Sequence, residues 1–211
     1  MPIIRHRQID TNKEIGIWNI DESMEELTSV VQDCGYDMER FFAISNEQVK
    51  KQWLAVRVLL HQMTSNFTDI VYDELGRPYL DGDLSVSITH SHDRVGIQLS
   101  TSRKVGIDLQ LYNPGIEKIK EKFMSPEEIQ HLDKKYALES MHVIWCAKET
   151  MFKTLRSEGV IFAEELFVEP FDYSKSFGLQ GISTHQKNVR VPFELTFEKV
   201  DDYFLVYLVN P

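Results

Sequence analysis

Apolar and polar residues alternate cleanly in several stretches of the chain, and a period of two marks strands. Leu84-Ser-Val-Ser-Ile-Thr89 alternates without a break. Residues 1–20 also read as strand material, with Ile15-Gly-Ile-Trp-Asn-Ile20 at their end. Residues 94–99 and 104–110 give two further strands, and the intervening Ser100-Thr-Ser-Arg103 has the length and composition of a hairpin loop. Four strands are expected near the end, at 166–171, 177–182, 190–199 and 202–209. Elsewhere the period lengthens to that of a helix. Residues 45–64 carry a stripe of Val49, Trp53, Val56, Leu60 and Met63. Ser45 is placed as its N-cap with Gln48 completing a capping box, and Lys50, Lys51 and Arg57 decorate its wet sides. Residues 21–33 begin with acidic side chains that suit a helix N-terminus. Ile116, Ile119 and Phe123 predict a short helix, and Ser125-Pro-Glu-Glu128 a helix start. A long helix is expected from about 139 to 156, stopping near Gly159.

Helix and strands therefore occur twice in succession. The expected fold is α+β, with two similar halves, 1–104 and 105–211, each an antiparallel sheet packed with helices. No linker rich in Gly, Ser or Pro divides the chain. A hydrophobic content of 42% and a charged content of 27% fit a soluble globular protein. The net charge of −10 argues against a nucleic-acid binder, which would need a basic face. No apolar run approaches the ~20 residues that span a bilayer, so no membrane role is expected. Met-Pro-Ile-Ile-Arg-His-Arg-Gln at the start lacks the apolar core of a signal peptide. Cys34 and Cys146 are too few for a disulfide framework and read as free thiols. A cytoplasmic location is the expectation.

Candidate chemistry concentrates on the long helix. Trp145, Glu149, Phe152, Lys153 and Arg156 share one helical face, which the Trp and Phe should turn inward. In the strand Val105-Gly-Ile-Asp-Leu-Gln110, Gly106, Asp108 and Gln110 point to one side. Asp is disfavoured in strands, so Asp108 needs a reason. One reading brings Asp108 and Glu149 together around a divalent metal such as Mg²⁺, with Gln110 assisting and Lys153 handling a phosphate. The other leaves Asp108 on an exposed edge and pairs Glu149 with Lys153 as a surface i, i+4 salt bridge. Spacing alone leaves both open. His90-Ser-His-Asp93 offers His-x-His, which favours zinc, yet no third soft ligand lies nearby. It fits a phosphate rim, with Thr89 and Ser91 beside His90, or a plain polar turn. Arg77, on the tight Gly76-Arg-Pro78 turn, is either a rigid donor or a solvated loop residue. Cys146 has no base placed beside it and reads as packing.

Taken together these residues resemble the 4′-phosphopantetheinyl transferase superfamily. The resemblance rests first on Val105-Gly-Ile-Asp-Leu-Gln110 and Trp145-Cys-Ala-Lys-Glu149 with Lys153. Gly76-Arg-Pro78, Ile88-Thr-His-Ser91, Phe123-Met-Ser-Pro-Glu-Glu128 and Trp53-Leu-Ala-Val-Arg-Val-Leu-Leu60 follow the family's order. Length and layout resemble its larger, monomeric, pseudo-twofold branch. The resemblance implies transfer of the phosphopantetheine arm of coenzyme A (CoA) to a serine of an apo acyl or peptidyl carrier protein, with release of 3′,5′-ADP. It makes Asp108 and Glu149, with Gln110, the Mg²⁺ site. Glu149 would help deprotonate the serine, and Lys153 would neutralise the pyrophosphate. Arg77 and His90 would hold the 3′-phosphate or nearby CoA groups, with Thr89 and Ser91 adding hydroxyls and Arg57 and Lys51 at the phosphate rim.

Two departures stand out. The family's strand usually reads Asp-x-Glu, and here Gln110 stands in the last place, with one negative charge fewer. That substitution supports an alternative, a degenerate relative that binds CoA or a carrier without chemistry. Arg77 and Thr89 replace a usual Lys and Ser and keep the interaction type. Carrier proteins of this kind are acidic, as this chain is. Attraction would need a local basic patch, with Arg103, Lys104, Lys118, Lys120 and Lys122 as its residues.

Overall fold

Two separate hydrophobic clusters organise the chain, which divides into units Met1–Val105 and Gly106–Pro211. The computed structural model describes residues 3–66, 68–102, 104–186 and 189–210. Arg103, expected in a loop and in a basic patch, lies outside the described residues.

The first unit runs β1 (Ile3–Gln8), β2 (Lys13–Asn19), α1 (Met24–Asp33), α2 (Glu39–Ala43), α3 (Glu47–Thr64), β3 (Ile70–Tyr72), β4 (Pro78–Leu80), β5 (Ser85–Ser91) and β6 (Arg94–Ser100). Its main sheet has the order β1-β2-β6-β5 and is antiparallel throughout; β3 and β4 form a small ribbon. One face of the sheet and one face of α3 close the core, where Trp18, Leu54, Leu59, Leu60 and Ile97 are fully buried. Burying side chains of this size stabilises by roughly 1.5–3 kcal/mol each before the entropy of ordering is counted.

Two expectations are corrected here. The N-cap of α3 is Asn46, whose side chain accepts from Val49 N at 3.0 Å, and Ser45 lies outside the helix. Gln48 completes no capping box because its amide donates to the carbonyl of His92, as does that of Gln52 at 2.9 Å. Nor do residues 94–99 and 104–110 form a hairpin. β6 pairs with β2 and β5, and β5 turns into β6 through His92-Asp93, where His92 takes φ 51°. The later strand, β7 (Ile107–Leu111), belongs to the second unit and pairs with the last strand of the chain.

The second unit continues from β7 through a 3-10 helix (Pro114–Lys122), α4 (Pro126–Gln130), α5 (Ala137–Leu155), α6 (Phe162–Glu165), β8 (Leu166–Val168), β9 (Gly178–Ser183), β10 (Val191–Val200) and β11 (Tyr203–Asn210). Its sheet has the order β7-β11-β10-β9-β8, again antiparallel throughout. The chain is therefore α+β in both units. Ser125 and Glu128 form the expected capping box on α4. α5 ends at Leu155, where Arg156 takes a left-handed conformation and caps it, before Gly159 is reached. The helix α5 lies against β7 and β11. Gly106 permits that approach: a Cβ there would run into the backbone carbonyl of Thr150 and the hydroxyl of Thr154.

Candidate active site

Two polar ties hold α5 to the sheet, and a third bond lies within the helix. Thr150 Oγ1 donates to Val206 O at 3.1 Å, Thr154 Oγ1 to Thr150 O at 2.8 Å, and Cys146 Sγ to Phe204 O at 3.6 Å. Short side chains at 146, 150 and 154 keep the helix axis near the strands. The neighbouring face of the helix then carries Glu149 and Lys153 alongside β7.

Asp108 is buried, 3% exposed, opposite Val206 in the ladder. Lys153 Nζ donates to Asp108 Oδ1 at 2.7 Å and to Ile107 O at 2.9 Å. Gln110 Nε2 donates to the other oxygen, Asp108 Oδ2, at 3.1 Å. The ion pair of Lys153 thus crosses to the strand, and the i, i+4 bridge to Glu149 is not formed. β7 is the edge strand of its sheet, as that reading has it, but Asp108 on it is buried and the lysine pairs with it instead of with Glu149.

Glu149 is half-buried, and its proton affinity is pushed up to about 7. Burial is the main cause; the like charge of Asp108 adds to it, and Lys153 opposes. Two carboxylates that feel each other's charge, with one ammonium paired to Asp108, leave room for more positive charge. Asp108 and Glu149 suit a hard cation that takes one or two carboxylates and fills its remaining positions with water and phosphate oxygens. Gln110 presents its amide N–H to Asp108, so its role in this state is to orient that carboxylate. Among the described residues, no three His, Cys, Asp or Glu side chains gather as a metal site built by protein alone would require. Cys146 is fully buried and its thiol is pushed well above its usual range, chiefly by burial, so it is no nucleophile.

The helix face expected to turn inward is only half-buried at Trp145, Glu149, Phe152 and Lys153, and Arg156 is exposed. Trp145 packs edge-on to Phe123 at 5.1 Å and near Phe162 at 6.0 Å. What lies innermost is Lys148, missed from the sequence. Its ammonium is 0% exposed and donates to Phe123 O at 2.7 Å, Glu128 Oε2 at 2.6 Å and Phe162 O at 3.1 Å. Glu128 accepts in turn from Val168 N at 2.8 Å and Ser125 N at 2.8 Å. One ion pair thus joins α5, α4, α6, β8 and the end of the 3-10 helix. A sequence signal existed: Lys148 falls on the buried side of the helix, between Ile144 and Met151. It shows only when the helix is phased from Met141, Ile144 and Met151 instead of from Trp145 and Phe152.

The residues expected to bind CoA all lie in the first unit. Arg57 is not on a wet face: it is 2% exposed and stacks on Trp53, its guanidinium carbon 3.2 Å from the ring centroid. Its Nη1 donates to Trp53 O at 3.2 Å, and its buried Nε has no partner. Arg57 and His90 line a cavity of about 220 Å³ with Gln52, Trp53, Tyr72 and Ile88. Strand alternation separates His90 from Thr89 and Ser91: His90 is exposed on the side of Ile88, while Thr89 and Ser91 are buried on the other. The two hydroxyls therefore do not flank the imidazole. Arg77 is half-buried in a turn that Asp73 holds, its side chain accepting from Leu75 N at 3.0 Å and Arg77 N at 2.8 Å. Lys51 is half-buried on α3.

Comparison with known proteins adds to this geometry. Residues 104–199 match the family model of the 4′-phosphopantetheinyl transferase superfamily. That span holds Asp108, Gln110, Glu128, Lys148, Glu149 and Lys153. The match covers less than half of the chain and selects no branch of that superfamily.

Among curated proteins, the chain is similar to the 4′-phosphopantetheinyl transferase AcpT of Salmonella typhi, at 34% identity over 67 residues, covering 31% of this chain and 35% of that protein. The AcpT of Escherichia coli K12 is 31% identical over 67 residues, covering 31% and 34%. The chain thus matches about a third of the length of these curated relatives. No helix among the described residues is long and apolar enough to cross a membrane.

Proposed function

We propose that the chain transfers the 4′-phosphopantetheine arm of CoA to a serine of an apo acyl or peptidyl carrier protein, Mg²⁺-dependent, with 3′,5′-ADP as the second product. The observation that carries this reading is the cluster of Asp108, Glu149 and Lys153 on a Gly-x-Asp strand and a Trp-x-x-Lys-Glu helix inside the family match. The larger, monomeric branch with its pseudo-twofold, the halves 1–104 and 105–211, and a cytoplasmic location go with it.

Bound Mg²⁺ would supply charge neutralisation at the pyrophosphate. The protein's own groups do the rest. Asp108 and Glu149 would hold the cation. Glu149 would accept a proton from the incoming serine hydroxyl; its raised proton affinity, about 7, belongs to the site without the cation. Lys153 offers a point charge to the departing phosphate oxygens. Gln110 steadies Asp108. His90 and Arg57, on one cavity, are assigned to CoA, together with Arg77, Thr89, Ser91 and Lys51. Lys104, Lys118 and Lys122 are exposed and remain assigned to the carrier, although Glu117 and Glu121 alternate with the lysines on the 3-10 helix.

A second reading, a relative that binds CoA or a carrier without chemistry, has one observation in its favour: Gln110 brings no charge to the strand. Incubating the protein with CoA, Mg²⁺ and a panel of apo carriers separates the two. Transfer adds the mass of one phosphopantetheine to a carrier serine. Unchanged carriers across the panel, with CoA still bound in calorimetry, would leave the non-catalytic reading standing.

A further inference from the structure

We propose that Lys153 is the resident counter-cation of the Asp108–Glu149 centre, and that a divalent ion enters together with a pyrophosphate-bearing substrate that draws Lys153 off Asp108. The inference rests on the transferase reading and concerns how its site is filled.

Both oxygens of Asp108 are engaged. Lys153 Nζ holds Oδ1 at 2.7 Å, and the Gln110 amide holds Oδ2 at 3.1 Å. The carboxylate is 4% exposed and is already neutralised by the ammonium. A divalent ion reaching Asp108 alone must displace one of these donors. If Lys153 is displaced without a new acceptor, its ammonium stays beside the incoming ion, and two like charges a few ångströms apart repel. A pyrophosphate removes that penalty by offering Lys153 an acceptor and the ion its missing oxygens at once. The lysine can make the move: its side chain is 27% exposed, flexible and unbranched. Gln110 sets the dependence. As a neutral donor it favours Asp108 without the ion, and it adds no charge to attract one. Metal and nucleotide therefore bind as a coupled pair.

The test uses Mn²⁺ as the probe and the full chain, with calorimetry in the presence and absence of CoA and no carrier present. CoA is expected to tighten Mn²⁺ binding about tenfold or more, and Mn²⁺ to tighten CoA by the same factor. Lys153→Met, and separately Gln110→Glu, should bind Mn²⁺ alone about tenfold more tightly than the unaltered chain, with the coupling reduced. Equal Mn²⁺ affinity with and without CoA would overturn the inference and leave the transferase reading in place. So would a Lys153→Met protein, folded by circular dichroism, that binds Mn²⁺ no better. Failure of CoA to bind under either condition would overturn the transferase reading and this inference with it.

Discussion

Lys153 pairs with Asp108 across the helix–strand gap, 2.7 Å apart, and not with Glu149, one turn earlier on its own helix. This arrangement makes two carboxylates electrostatically unequal. One, Asp108, accepts hydrogen bonds from Lys153 and Gln110. The other binds a proton at near-neutral pH.

The inequality has a stability consequence. Glu149 binds its proton more tightly folded, at about 7, than its ordinary value of 4.5. The folded protein therefore holds extra protons between those values, and stability falls as pH rises through that window. Glu149→Gln removes the cost. Metal-free variant protein should gain roughly 1–3 kcal/mol over the unaltered chain at pH 8, after discounting for partial exposure, and almost nothing at pH 4. Urea unfolding at the two pH values reads the difference. An equal gain at both would mean that burial, not charge, sets the effect.

The Lys148–Glu128 pair should be costly to break and cheap to delete. Lys148→Met strands a buried carboxylate and is expected to cost about 3–5 kcal/mol, while Lys148→Met with Glu128→Gln should recover a large part of that loss. Each partner also satisfies backbone groups, Val168 N and Ser125 N on one side and Phe123 O and Phe162 O on the other, so recovery will be incomplete. A double-mutant cycle by chemical denaturation gives the coupling energy directly. A coupling near zero would show that the pair contributes nothing beyond its backbone bonds.

Gly106→Ala should destabilise by about 1–3 kcal/mol, the range for overpacking, because its methyl group meets the helix backbone at Thr150. The obstacle is a carbonyl oxygen with no rotamer to relax into. α5 must shift outward, taking Glu149 and Lys153 with it. Thermal melting checks the cost, and loss of Mn²⁺ affinity in the presence of CoA checks the displacement. An unchanged melting point would show that the helix accommodates the methyl group.

Local patterns were legible in the sequence. The strict alternation of β5, the Ser125–Glu128 capping box and the four late strands depend on neighbours a few residues apart, and each appears close to its expected place. What the sequence left hidden depends on partners far along the chain. Residues 94–99 and 104–110 look like a hairpin because successive strands usually pair, yet one joins β2 and β5 and the other β11. The short β3, β4, α2 and α6 carry too few residues for a period to show. Spacing puts Arg57 on a wet face, whereas it is buried and stacks on Trp53. Spacing allows Asp108, Glu149 and Lys153 to meet, but does not fix which carboxylate the lysine pairs with. The pairing depends on how α5 lies against β7, which spacing along the chain does not carry.

The most direct test of the central claim is the rate of phosphopantetheine transfer to an apo carrier, followed by intact-protein mass, for the unaltered chain, Asp108→Ala and Glu149→Ala. The account predicts transfer by the unaltered chain and a loss of about a thousandfold or more in each variant, the scale expected when a group that stabilises transition-state charge is removed. Full activity in both folded variants would contradict it.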